Sequence, residues 1–87
     1  MYEVLVKKKV LKDIGKLPEA IQKALVNLID DLREKGPIRN EWPNFGKIGT
    51  FAYHCHLSRK WVACWHCEKK PIIIEVYYAG SRENAPY

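Results

Sequence analysis

The sequence predicts a small α+β fold, a single domain over residues 1–87. Two N-terminal helices pack on one face of a mainly antiparallel β-sheet, in the order β-α-α-β-β-β. Three observations lead there. Eighty-seven residues allow one thin core and little more. Hydrophobic periodicity is helical before Gly36-Pro37 and strand-like after it. The second half then alternates apolar and polar residues, the mark of a sheet with one covered and one open face.

Each element has its own signal. Tyr2–Val6 reads as a short opening strand. Lys7–Lys16 follows as a short helix, with Val10, Leu11, Ile14 and Leu17 spaced to share a face. Pro18 opens a second helix, where its missing N–H costs nothing and Glu19 suits the positive end. Ile21, Leu25, Leu28, Ile29 and Leu32 form its apolar stripe, Lys23, Asp30, Asp31 and Glu34 its solvated face, and Gly36-Pro37 its stop. Pro37–Ile48 reads as irregular. Strand Thr50–Leu57 then sets Phe51, Tyr53, Cys55 and Leu57 against Ala52, His54 and His56. A turn at Ser58-Arg59-Lys60 leads to strand Trp61–Cys67, with Trp61, Ala63, Trp65 and Cys67 on one side and Val62, Cys64 and His66 on the other. Glu68-Lys69-Lys70-Pro71 turns the chain into a third strand, Ile72–Tyr78, before the tail Ala79–Tyr87.

Pairing Leu57 with Trp61 across the first turn fixes a register in which His54 faces Cys64 and His56 faces Val62. Cross-strand neighbours share a face. His54, His56, Cys64 and His66 therefore look out from one side, while Phe51, Tyr53, Trp61 and Trp65 turn inward toward the helices.

Composition removes several function classes. No apolar run reaches the roughly 18–20 residues of a membrane span, and no apolar stretch follows a basic start as in a signal peptide, so a cytoplasmic protein without a membrane partner is expected. Fifteen Lys and Arg against ten Asp and Glu give a net charge of +5, spread as +2 over residues 1–36 and +3 over residues 37–87. That balance favours a phosphate-rich partner. Lys7, Lys8, Lys9, Lys12 and Lys16 suit phosphate contacts or a solvated helix face equally. Three cysteines, an odd number within strand-like text, read as buried thiols rather than a disulfide scaffold.

His54, His56, Cys64 and His66 could reach a zinc ion from adjacent strands, but the spacing is not that of a zinc finger, and no metal or cofactor is expected. Phosphoester chemistry suits the same face better. Cleaving RNA through its own 2′-hydroxyl needs a base, an acid and a cation on the phosphate. Histidine, whose pKa lies near neutrality, supplies the first two and arginine the third. No glycine-rich phosphate loop, nucleophile elbow or paired-carboxylate motif competes with that reading.

Three stretches resemble the RelE/ParE toxin superfamily of bacterial toxin–antitoxin pairs, in its RelE- and HigB-like branch. Tyr53-His54-Cys55-His56-Leu57 is similar to the strand on which RelE proteins carry two catalytic lysines at i and i+2, with Lys47 just upstream. Gly80-Ser81-Arg82-Glu83 resembles the Gly-x-Arg-Glu segment whose arginine contacts the reacting phosphate, and Tyr87 resembles the tyrosine that acts on the substrate nucleotide. The resemblance implies a metal-independent endoribonuclease cutting message in the ribosome, with His54, His56, Arg82 and Tyr87 as catalytic residues and Lys47, Arg59 and Lys60 as RNA contacts. It also implies a cognate antitoxin encoded alongside. Where RelE has a second arginine in its middle strand, this chain has Val62. A ParE-like toxin that binds DNA gyrase and cleaves nothing is therefore the alternative.

Overall fold

The computed structural model describes residues 1–67 and 73–87. The expected turn at Glu68–Pro71 and the first residue of the last predicted strand, Ile72, lie outside the described residues. The remainder forms β1 (Glu3–Val6), α1 (Lys8–Asp13), α2 (Glu19–Lys35), β2 (Gly46–Gly49), β3 (Ala52–His56), β4 (Trp61–Cys67) and β5 (Ile73–Ser81). Short 3-10 turns follow α1 at Ile14–Lys16 and β5 at Arg82–Asn84. The sheet is five-stranded in the order β1-β5-β4-β3-β2, parallel only between β1 and β5.

Both helices lie on one face, as the stripes require. Ile21, Leu25, Leu28 and Leu32 of α2 and Val10 of α1 pack against Tyr53, Cys55, Ala63, Trp65, Ile74 and Val76. Trp65 is the largest fully buried side chain, and its indole N–H donates to the Pro37 carbonyl over 3.0 Å. Phe45, Tyr53 and Trp65 form an aromatic cluster with ring centroids 5.8–6.3 Å apart. Full burial of such rings stabilises the fold by several kcal/mol, roughly 3–5 if one is truncated. Cys55, Cys64 and Cys67 are all buried thiols.

Four expectations need correction. Pro37–Ile48 is not wholly irregular: Gly46–Gly49 adds edge strand β2, whose two glycines give little strand signal. Phe51 is not core. It sits in the β2–β3 turn, 38% exposed, because β3 begins only at Ala52. Leu11 is likewise exposed, since α1 ends at Asp13 and tightens into the 3-10 turn before its stripe is complete. The last strand runs beyond Tyr78 to Ser81.

The C-terminus of α2 is where the two halves join. Gly36 has φ +92° and directs the chain away from the helix, while the Tyr2 ring closes over it. Arg39, buried, donates to the carbonyls of Gly36 and Lys35 and pairs with Glu41 at 2.6 Å. These bonds satisfy helix-end carbonyls that would otherwise be orphaned. A Cβ on Gly36 would lie 2.8 Å from the Tyr2 ring in a backbone region that side chains avoid. Gly36→Ala is expected to lower stability by about 1–3 kcal/mol. Gly15→Ala, where a Cβ meets nothing within 4 Å, should change it by less than about 0.5 kcal/mol. Urea denaturation of both variants checks the pair.

Candidate active site

The face away from the helices is organised in rows. The observed register pairs His54 with Cys64 and His56 with Val62, as the turn predicts. Extended across the sheet, one row runs Gly46–His54–Cys64–Tyr78 and the next His56–Val62–Gly80. A third joins Ala52, His66, Glu75 and Leu5.

Between the first and third rows β5 carries a bulge. Cys64 pairs with Tyr78 and Trp65 with Val76, so Tyr77 is the extra residue. Val76 and Ala79 both point to the core, and Tyr77 and Tyr78 both lie on the open face. The Tyr77 hydroxyl faces the Cys64 thiol, and its ring lies 5.1 Å from that of His66. The Tyr78 hydroxyl donates to the Ser81 carbonyl at 2.7 Å. Neither tyrosine was singled out from the sequence. The signal was present in the spacing of Val76 and Ala79, which breaks strand alternation by one residue.

The C-terminal tail folds back over these rows. The Arg82 N–H donates to the Lys60 carbonyl at 2.8 Å, which fixes the 3-10 turn against the β3–β4 connection. From there the chain brings Tyr87 onto His54, with ring centroids 4.4 Å apart in a stacked arrangement. His54 Nδ1 is buried with no hydrogen-bond partner among the described residues. An unpaired buried nitrogen costs free energy and is uncommon in native interiors.

Electrostatics follow from that covering. Burial, reinforced by the neighbouring His56, pushes the His54 pKa below its ordinary 6.5, so the ring is neutral at pH 7. Burial raises the Tyr87 hydroxyl, with Cys64 and Cys55 adding to it and the Arg82 cation opposing. Burial also pushes Cys55 and Cys64 up to about 12, which makes both thiols poor nucleophiles.

Tyr87 therefore stacks on His54 and lies within electrostatic reach of Arg82, and His56 is next along β3. His56 is held from outside the sheet: its backbone N–H donates to the Pro43 carbonyl at 2.8 Å, and the Asn44 amide nitrogen lies 3.3 Å from its Nδ1. Asn44 adopts φ +53°, a conformation asparagine tolerates better than most residues, and was not anticipated as a neighbour. Lys60 and Arg82 line a cleft of about 240 Å³ with Trp61, Ser81 and Glu83, and Arg59 lies exposed on the adjoining turn. Lys47 is placed elsewhere. It pairs with Tyr53, so it projects on the helix-bearing side of edge strand β2 and not beside His54.

Such a constellation combines a neutral imidazole and a second imidazole on β3 with a tyrosine ring and a guanidinium from the tail that follows β5. That suits proton transfer at a phosphodiester bearing a stacked base. Among the described residues, no three of His, Cys, Asp or Glu converge as metal ligands, and no helix is long and apolar enough to cross a membrane.

No protein-family model and no curated protein sequence matches the chain. Solved structures do. The toxin fold of an archaeal RelE–RelB complex from Pyrococcus horikoshii superposes with a TM-score of 0.75 at 20% identity, covering 97% of this chain and 98% of that one. The isolated E. coli RelE toxin gives 0.72 at 17% identity, over 99% and 89%. A YoeB–YefM complex from Staphylococcus aureus gives 0.71 at 9% identity, over 92% and 95%. The chain has the RelE-like fold.

His54 makes stability pH-dependent. Its folded pKa is lowered, so its contribution is fully present above the unfolded value of 6.5 and is lost as pH falls through the lower folded value. Denaturation midpoints between pH 8 and pH 5 should fall for the wild-type chain and fall less for His54→Asn.

Proposed function

We propose that this chain is the toxin of a toxin–antitoxin pair, a metal-independent endoribonuclease that cuts message on the ribosome. The observation that carries the reading is His54, neutral and unpaired at Nδ1 beneath a Tyr87 ring that itself feels the Arg82 cation. The fold shared with RelE and YoeB toxins supports it, and the basic surface suits a ribosomal RNA environment.

The chemistry needs three acts. His54 takes the proton of the 2′-hydroxyl, which attacks the adjacent phosphorus. Arg82 holds the charge that builds on the phosphoryl oxygens. His56, in its protonated form, gives a proton to the departing 5′-oxygen, leaving a 2′,3′-cyclic phosphate and a 5′-hydroxyl. Tyr87 leaves His54 to stack on the substrate base, which exposes Nδ1 to the hydroxyl. Lys60 and Arg59 flank Arg82 and grip neighbouring phosphates, and Lys47 contacts RNA from the other side of β2.

The solved complexes hold RelE with RelB and YoeB with YefM. By the same logic an antitoxin encoded beside this chain covers its basic surface and keeps it inactive in the cytoplasm. The chain acts as one domain over residues 1–87.

One observation favours a second reading, a gyrase-binding toxin without nuclease activity. Val62, at the middle-strand position where RelE carries an arginine, is fully buried and supplies no cation. Gyrase-dependent DNA breaks with intact message would decide for it.

The test uses purified protein, ribosomes and message, with cuts mapped by primer extension. Wild-type protein should cut in the ribosomal A site. His54→Ala with His56→Ala, and separately Arg82→Ala, should cut at least roughly a hundredfold more slowly while keeping a native circular dichroism spectrum. Undiminished cutting by the double variant overturns the assignment of roles.

A further inference from the structure

The open face holds a second cluster that the proposed reaction leaves unused. His66 and Glu75 are cross-strand neighbours in the third row, and His66 Nε2 lies 3.0 Å from a Glu75 carboxylate oxygen. One side of His66 meets the Tyr77 ring, which the β5 bulge turns onto the open face above Cys64. The other side opens on a cleft of about 150 Å³ lined by Leu5, Ile73, Glu75 and Cys67. Leu5 and Ile73 are exposed apolar side chains on that rim.

The arrangement has the parts of a base-reading site. Flat rings offer a stacking surface, aliphatic side chains close one flank, and a carboxylate held in place by an imidazole presents acceptor oxygens at the edge. Single-stranded RNA is read in this manner, by stacking and by hydrogen bonds to exposed base edges. A carboxylate accepts but cannot donate. Guanine offers it two adjacent donors, the ring N1–H and the exocyclic amino group. Uracil offers one, while adenine and cytosine offer only the amino group.

The position suits a flanking nucleotide. His66 is two residues along β4 from Cys64, the cross-strand partner of His54, a rise of about 7 Å. Tyr77 and Tyr78 bridge the interval on the same face.

We infer that His66, Glu75 and Tyr77 form a second nucleobase site, selective for guanine, that holds the nucleotide flanking the scissile phosphate. This rests on the RNA-cleaving reading for its substrate, not for its geometry. Glu75 sets specificity, and His66 is a positioning residue that aims the Glu75 carboxylate.

The test is a titration of isotope-labelled protein with short single-stranded RNAs. Each carries one 2′-deoxynucleotide at the cut position, so that it cannot be cleaved, and guanine, adenine, cytosine or uracil beside it. Ring resonances of His54 and Tyr87 report the reaction site, and those of His66 and Tyr77 the second site. The expected result is movement at both, with guanine bound roughly tenfold more tightly than uracil. In Glu75→Gln that preference should fall to within about twofold, with the fold and the His54 response intact. Movement at His54 and Tyr87 alone, or an unchanged guanine preference in Glu75→Gln, overturns the second site and leaves the nuclease reading standing. Movement at His66 and Tyr77 alone sustains the base site and overturns the reaction site. No movement at either overturns both.

Discussion

The single unpaired residue in β5 governs what the open face can do. With strict alternation, Val76 in the core would put Tyr78 in the core as well, and Gly80 behind it. The bulge at Tyr77 resets the phase. Two tyrosines reach the open face in succession, Ala79 fills the core instead, and Gly80 comes beside Val62. A strand without that insertion would bury a phenol under α1 and present an alanine on the open face. The cost of one lost ladder position is small beside burying an ill-fitting hydroxyl.

Downstream of the bulge, geometry propagates to the chain end. β5 leaves the sheet opposite Trp61, and the Arg82 bond to Lys60 anchors the tail where the β3–β4 connection ends. Only a few residues then separate the anchor from Tyr87, so the ring has little choice but to fall on the same face as His54. The helix-bearing face supplies the rigidity behind this. Trp65 lies at the centre of that face, tied to Pro37, and it keeps β4 fixed under both His54 and His66.

The sequence makes the architecture legible wherever periodicity is strong. The helix stripe of α2, the aromatic interior and the His54–Cys64 register all follow from spacing alone, because a one-residue slip would expose Trp65. β2 escapes that logic, since Gly46-Lys47-Ile48-Gly49 offers one apolar side chain and two glycines. Phe51 misleads for a related reason: hydrophobicity argues for burial, but a hairpin turn must occupy some residue, and here it takes Phe51. At the site, alternation puts His54 and His56 on a common face but is silent on what covers them. The closeness of Tyr87 to His54 depends on a tail path that no local pattern encodes. Val62 and Cys64 are fully buried on the side read as open, because the tyrosines and the returning tail roof it.

On the proposed reading, that roof explains how one imidazole can be shielded at rest and still serve RNA. The His54–Tyr87 stack is a contact of the kind that contributes about 0.5–1.5 kcal/mol. A nucleobase stacked on the same tyrosine contributes about 1–3 kcal/mol. Exchanging one stack for the other is therefore near neutral or downhill before any phosphate contact is counted. The hydroxyl that accompanies the base also gives His54 Nδ1 the partner it lacks, relieving a penalty of about 1–3 kcal/mol. On the proposed reading neither term opposes the substrate-bound arrangement, and neither operates without RNA. On the proposed reading, the tail is a gate biased shut by a weak stack and opened by a stronger one. On that reading, the same stacking energy that loads the RNA uncovers the imidazole that acts on it.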